Sequence, residues 1–234
     1  MYKAILFDLD GTLLPMDFDV FTKAYFGELC KVLAPYGVDP EDAVKAVWHG
    51  TKGMIMNNGE QTNKDVFWMG FAEIVSGDTE VYINATDPFY DGDFNKVKAV
   101  TGENPLARAA IEAAGRNGRK VILATNPLFP RNAQASRLRW IGLIEDDFEL
   151  ITDYSSDSFC KPNPKYYLSI CERIGVSPEE CLMVGNDEAD DMMGASKAGM
   201  DCYLVTDCLI PSDKFKWTGL RGSFAELVEY LESL

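Results

Sequence analysis

The sequence predicts an α/β fold, a doubly wound parallel sheet with an inserted helical module, and three observations carry that prediction. Residues 4–7, 120–124 and 181–184 are short apolar runs bounded by turn residues, the pattern of strands buried on both faces. Helical patterns alternate with such runs through the second half of the chain, as a parallel sheet with crossover helices requires. The first half breaks the alternation. From Phe18 to about Val100 apolar residues recur at three- and four-residue steps, and no strand is recognisable.

Taken in order, the first strand ends in Asp8-Leu9-Asp10-Gly11-Thr12, and residues 13–17 form a turn. Phe18, Phe21, Tyr25, Leu29, Val32 and Leu33 mark a helix stopped by residues 35–37. Asp39-Pro40-Glu41-Asp42 starts a second helix, which breaks at residues 57–59. Thr62 or Asn63 caps a third, and a fourth helical piece covers about 81–100 with an interruption near 88–92. Residues 106–114 are an alanine-rich helix leading into the second strand. Residues 130–142 are helical, 148–152 a short strand, 163–174 a helix, 188–198 the helix after the third buried strand, 201–206 another strand and 223–234 a closing helix. The core is therefore expected from residues 1–15 with 101–234, and the helical insert from 16–100.

Composition narrows the function. At 234 residues, 47% of them hydrophobic, the chain can bury a sizeable core. A formal net charge of -15, from 37 acidic against 22 basic residues, argues against a nucleic-acid partner and against an anionic membrane surface. Cys30, Cys160, Cys171, Cys181, Cys202 and Cys208 form no CxxC pair and have no metal-ligand spacing with His49, the single histidine, so they read as reduced thiols. The first residues run straight into a strand with no signal peptide and no spanning apolar stretch, and a cytoplasmic location is the expectation.

Each strand ends in a specific polar group. The first gives Asp8 and Asp10, which extended backbone points to one side with Leu9 turned away. Two carboxylates so close repel unless a cation or proton sits between them. The second strand gives Thr125 and Asn126, the 181–184 strand gives Asp187 with Asp191 one helical turn on, and Lys161 precedes Pro162 at a helix start. A parallel sheet brings all its carboxyl ends to one edge, so these groups converge. Three carboxylates with no His or Cys beside them make a hard, oxygen-rich site suited to Mg²⁺. A lysine supplies a point charge for a phosphate oxygen or carboxylate. One aspartate can then attack phosphorus, and a second, two residues on, can serve as general acid and later as base.

Asp8-Leu9-Asp10-Gly11-Thr12, Thr125-Asn126, Lys161-Pro162 and Gly185-Asn186-Asp187 with Asp191 resemble, in order and spacing, the four motifs of the haloacid dehalogenase-like hydrolases. The resemblance covers the whole chain, since the helical insert is similar to that family's cap and the remainder to its Rossmann-like core. It implies Asp8 as nucleophile, Asp10 as acid/base, and Thr125, Asn126 and Lys161 on the substrate phosphate. It further implies that Mg²⁺ is held by Asp8, Asp187 and the Asp10 backbone carbonyl, with Asp191 bracing Lys161 and the metal's surroundings. The acid at Asp10 separates phosphatases and phosphomutases from the metal-independent dehalogenases. The function implied is a Mg-dependent phosphohydrolase acting on a small phosphorylated metabolite through an aspartyl-phosphate. The alternatives are a sugar-phosphate mutase, a dehalogenase, or a non-catalytic binder of a phosphorylated metabolite.

Several residues have plainer readings. Thr125 and Asn126 can be strand-end turn residues, and Asp191 a first-turn acid favoured by the helix dipole. Trp48, Phe67, Trp68 and Phe71 read as packing within the insert, as do Leu128 and Phe129. His49 reads as a packing or surface histidine, Asp190 as solvent-facing, and none of Lys23, Lys31, Lys45, Lys52 and Lys64 is assigned a role.

Overall fold

A computed structural model describes residues 1–234. The elements are β1 (Ala4–Phe7), α1 (Phe18–Leu33), α2 (Pro40–Ile55), α3 (Asn63–Ile74), α4 (Thr79–Asp91), a 3₁₀ stretch (Asp93–Val100) and α5 (Ala107–Gly115). They continue with β2 (Lys120–Leu123), α6 (Arg131–Trp140), β3 (Leu150–Ile151), α7 (Pro164–Ile174), β4 (Cys181–Gly185), α8 (Gly194–Lys197), β5 (Asp201–Val205), β6 (Arg221–Gly222) and α9 (Phe224–Ser233). The strands form one wholly parallel sheet in the order β3-β2-β1-β4-β5-β6. Ile5 of β1 lies level with Val121 of β2 on one side and Leu182 of β4 on the other.

All four residues of β1 are fully buried, because both faces of the sheet are covered. Ile5 and Phe7 point into a core shared with α5, α9 and the helical insert. Ala4 and Leu6 point the other way, against Tyr166, Tyr167 and Ile170 of α7. The chain leaves β1 toward β2 on one side and returns to β4 on the other, so the strand order reverses between β1 and β4. That reversal opens a crevice at the carboxyl edge.

The insert's helices start where side chains can satisfy free N–H groups. Asp17 accepts from the Val20 N–H, Asp39 from the Glu41 N–H, and Thr62 from the Asp65 N–H. Phe21, Tyr25, Leu29 and Leu33 form the buried stripe of α1. The insert shares its aromatic core with the sheet layer: Phe129 meets Tyr25, Tyr90 and Phe94, and Trp140 meets Phe94.

Three local features depart from the sequence expectation. The break foreseen at 88–92 falls only at Gly92, because burial of Phe89 and Tyr90 holds the last turn of α4 together despite Pro88. β6 carries no apolar run, since its exposed Arg221 sits on an edge strand whose backbone alone pairs with β5. Residues 188–193 are wound as a π-turn, in which the Met192 N–H donates to the Asp187 carbonyl five residues back. All six cysteines are free thiols, and no helix is long and apolar enough to cross a membrane.

Candidate active site

Asp8 and Asp187 stand on either side of the crevice between β1 and β4. The Asp8 N–H donates to the Val184 carbonyl at 2.9 Å, which carries the strand pairing one residue past β1. Leu9 is fully buried, so Asp8 and Asp10 both reach the cleft, as alternation requires. Gly11 follows with φ +86°, and a Cβ there would lie 2.3 Å from Nδ2 of Asn186. Only glycine fits, because the conformation and the space both forbid a side chain. The Thr12 hydroxyl donates to Oδ1 of Asn186 at 3.0 Å, tying the β1 turn to the β4 turn.

Lys161 is the hub. It is 2% exposed, and its ammonium donates to Oδ1 of Asp8 and to Oδ1 of Asp191, each at 2.7 Å. Asp191, 1% exposed, accepts a second bond on Oδ2 from the Asp187 N–H. This fit depends on Gly185, whose Cβ would lie 2.2 Å from the Asp191 carboxyl. Asp187 accepts from the Ala189 and Asp190 N–H groups, so it caps the π-turn while lining the cleft.

Negative charge exceeds positive here. Lys161 is the only cationic side chain lining the cleft, against Asp8, Asp10, Asp187, Asp190 and Asp191 at the sheet edge. Burial raises the Asp8 carboxyl above its ordinary value, with Asp191 and Asp10 adding to the rise and Lys161 opposing it. Burial opposes the charge on Lys161, but Asp191 and Asp8 outweigh it and raise the ammonium well above its ordinary value. Asp187 is raised chiefly by burial, and Asp190 is pushed up to about 7 by burial and then by Asp187 and Asp191.

Asp190 is partly exposed, but it faces the cleft and accepts from Asn126 instead of pointing to open solvent. It sits three residues after Asp187, the spacing of one helix face, and that signal was present in the sequence. Asn126 uses both ends of its amide within the protein: Oδ1 accepts from the Lys161 N–H and Nδ2 donates to Asp190, both at 3.3 Å. Thr125 is buried, its carbonyl accepting from the Thr152 and Tyr166 hydroxyls at 2.6 and 2.8 Å.

One residue at this edge gave no motif signal. Arg137 of α6 is fully buried, ion-paired with Oδ2 of Asp10, hydrogen-bonded to the Gln134 side chain, and stacked 4.5 Å from the centre of the Phe129 ring. The other Asp10 oxygen, Oδ1, is buried without a partner. The only hint in the sequence is an arginine set among Ala133, Ala135 and Ser136, small enough to leave it room inside.

The insert forms the facing wall. Trp48 is 46% exposed and lines the cleft with Leu128 and Phe129, so these three do more than pack. Trp68 and Phe71 are buried as expected. His49 lies elsewhere, bonded to Glu73 at 2.7 Å on the outer side of α2 and α3. None of the insert's seven lysines lines the cleft.

The geometry agrees with comparisons to known proteins. A family model described as haloacid dehalogenase-like hydrolase matches residues 2–199. Phosphatase MT3486 of Mycobacterium tuberculosis is 29% identical over 205 residues, 87% of each chain. The Bacillus subtilis protein YhcW is 37% identical over 101 residues, a match spanning 43% of this chain and 44% of that one. The 2-haloacid dehalogenase structure from Pseudomonas syringae superposes with a TM-score of 0.64 at 19% identity, covering 100% of this chain and 99% of that one, a likeness of fold. With the sheet order, the four sequence motifs and a family match over residues 2–199 in agreement, this chain belongs to the haloacid dehalogenase-like hydrolases.

Proposed function

We propose that the protein is a Mg-dependent phosphohydrolase of a small phosphorylated metabolite, working through an aspartyl-phosphate on Asp8. The observation that carries this reading is the Asp8–Lys161–Asp191 chain, which holds a buried carboxylate at the crevice beside a fixed ammonium. In the first step an Asp8 carboxylate oxygen bonds to phosphorus and the bond from phosphorus to the leaving oxygen breaks. Asp10 gives that oxygen a proton. In the second, water attacks phosphorus, Asp10 takes its proton, and the bond to Asp8 breaks, releasing phosphate.

Lys161 neutralises a phosphate oxygen, and the Thr125 hydroxyl supplies a donor. Asn126 braces Lys161 and Asp190, a role its occupied amide supports better than direct phosphate binding. Arg137 positions Asp10. The donor set fits Mg²⁺: every candidate ligand is oxygen, and the Asp8 and Asp187 carboxyls, both raised chiefly by burial and further by Asp191, line a cleft where a cation would offset the excess negative charge. As the side chains lie, no three carboxylates are grouped to hold an ion. The holding set that the family resemblance implies is Asp8, Asp187 and the Asp10 backbone carbonyl. Bound Mg²⁺ supplies charge neutralisation between the anionic nucleophile and the anionic ester. Residues 16–100 act as a cap over a core of 1–15 and 101–234, excluding water while the first step proceeds.

The test is turnover of a generic aryl phosphate. Phosphate release is expected in Mg²⁺ and is lost on chelation or with Asp8→Asn. Full activity of the Asn variant would remove Asp8 as nucleophile, and an isomerised sugar phosphate without free phosphate would make the protein a mutase.

A further inference from the structure

The two walls of the cleft differ in kind. Opposite the acidic sheet edge, Phe18, Trp48 and Ile55 of the insert are between 46% and 53% exposed and line the cleft, and Ile210, 42% exposed, extends the apolar lining from beside Asp187. Large apolar side chains gathered in one concave site mark a binding surface more than chance exposure does. Behind them lies an apolar cavity of about 80 Å³ between α1, α2 and α3, closed on the far side by Phe21, Tyr25 and Phe71. It shares Phe18, Trp48, Thr51, Leu128 and Phe129 with the cleft, so the annex adjoins the site. Its volume is about half the ~150 Å³ of a cavity that takes up benzene. A short branched chain or the edge of a ring fits.

Charge narrows the ligand further. The insert brings no Lys, Arg or His to the cleft, and at the mouth it adds two more carboxylates, Asp17 and Asp19. Lys161, the one lining cation, is already bonded to Asp8 and Asp191. A carboxylate or second phosphate on the leaving group would find no cation of its own there and would face two acids. Thr51 is the only uncharged polar side chain from the insert on that wall, which offers little to the several hydroxyls of a sugar.

Resting on the phosphohydrolase reading above, we propose that the cleft selects phosphate monoesters whose leaving group is uncharged and aromatic or branched aliphatic. The leaving group lies against Phe18 and Trp48 with its tip toward the annex. Small esters with a second anionic group are selected against.

The experiment compares 2-phenylethyl phosphate with 2-phosphoglycolate by phosphate release in Mg²⁺. The expected kcat/KM ratio favours the phenylethyl ester by about tenfold or more, the discrimination a hydrophobic pocket of this kind gives. Trp48→Ala should lower that ratio through KM, and Thr51→Arg should lower it by improving phosphoglycolate. Both positions are partly exposed, so melting temperature separates a selectivity change from misfolding. Release from phosphoglycolate as fast as from the phenylethyl ester, or a ratio untouched by both variants, overturns the proposal. A binding arm keeps the two readings apart: thermal stabilisation by 2-phenylethylphosphonate is expected to exceed that by phosphonoacetate. If neither ester is cleaved but this preference holds, the hydrolytic reading fails and the apolar selectivity stands. If the preference is absent, the selectivity fails.

Discussion

The sheet edge and the insert wall face each other across one cleft and are built on opposite principles. The edge is a small set of buried and partly buried charges, each fixed by a named partner: Lys161 between Asp8 and Asp191, Asp10 on Arg137, Asp187 on two backbone N–H groups. The wall is largely apolar and partly exposed, with Trp48 and Phe18 open to solvent and Asp17 and Asp19 at its mouth. Positioned charge suits a reacting phosphate, whereas an unpaired apolar surface suits a leaving group recognised by shape. Damage to the edge should therefore appear in stability and turnover together. Damage to the wall should appear in substrate preference.

The largest effect on stability is expected from Lys161→Met. It strands the buried Asp8 and Asp191 carboxylates, and loss of one partner from a buried pair costs about 3–5 kcal/mol. Urea unfolding in the absence of Mg²⁺ checks this. A loss under about 1 kcal/mol would mean that the edge is not held by charge. Arg137→Met comes next. Asp10 is partly exposed, so water replaces some of what the guanidinium provided, and a loss of about 1–3 kcal/mol is expected with a fall in kcat. Unchanged kcat would show that Arg137 does not position Asp10.

The smallest effect has the opposite sign. Asp190 is raised from an ordinary 3.8 to about 7 by burial, Asp187 and Asp191, against Lys161. The folded chain therefore keeps a proton that the unfolded chain has released, and this group lowers stability progressively as pH rises from about 4 to about 7. Asp190→Asn should raise the melting temperature of the metal-free protein at pH 8 by about 2–8 °C, or ~1–2 kcal/mol, and by little at pH 4. Saturating Mg²⁺ should shrink the gain. An equal gain at both pH values would trace it to packing instead of charge.

The two walls also differ in how much of them was legible in the sequence. The sheet edge was, because a buried strand leaves an unbroken apolar run and the residues just past it arrive at the carboxyl edge: Asp8, Thr125 and Asp187 all follow such runs. Asp190 was legible in principle from its spacing, but a carboxylate beside two others reads as surface unless the turn is known to aim it inward. Arg137 was not, since nothing in the sequence separates it from Arg131 and Arg139 on the same helix and only the distant Asp10 explains it. The insert wall was illegible for a different reason. Helical periodicity shows that Trp48, Phe67, Trp68 and Phe71 belong to apolar faces but not which face opens onto a cleft, and the structure buries Trp68 and Phe71 while leaving Trp48 half open. Short edge pairing such as β6 is likewise invisible, because it rests on backbone alone.

The edge's chemistry is the central claim, and the most direct measurement is covalent trapping. The protein is mixed with an excess of aryl phosphate and Mg²⁺, quenched in acid within a turnover, and digested for mass spectrometry. One phosphoryl group is expected on the peptide carrying Asp8, absent in Asp8→Asn and absent after chelation. A phosphoryl group on another residue, or phosphate release by Asp8→Asn at the rate of the unaltered protein, would contradict it.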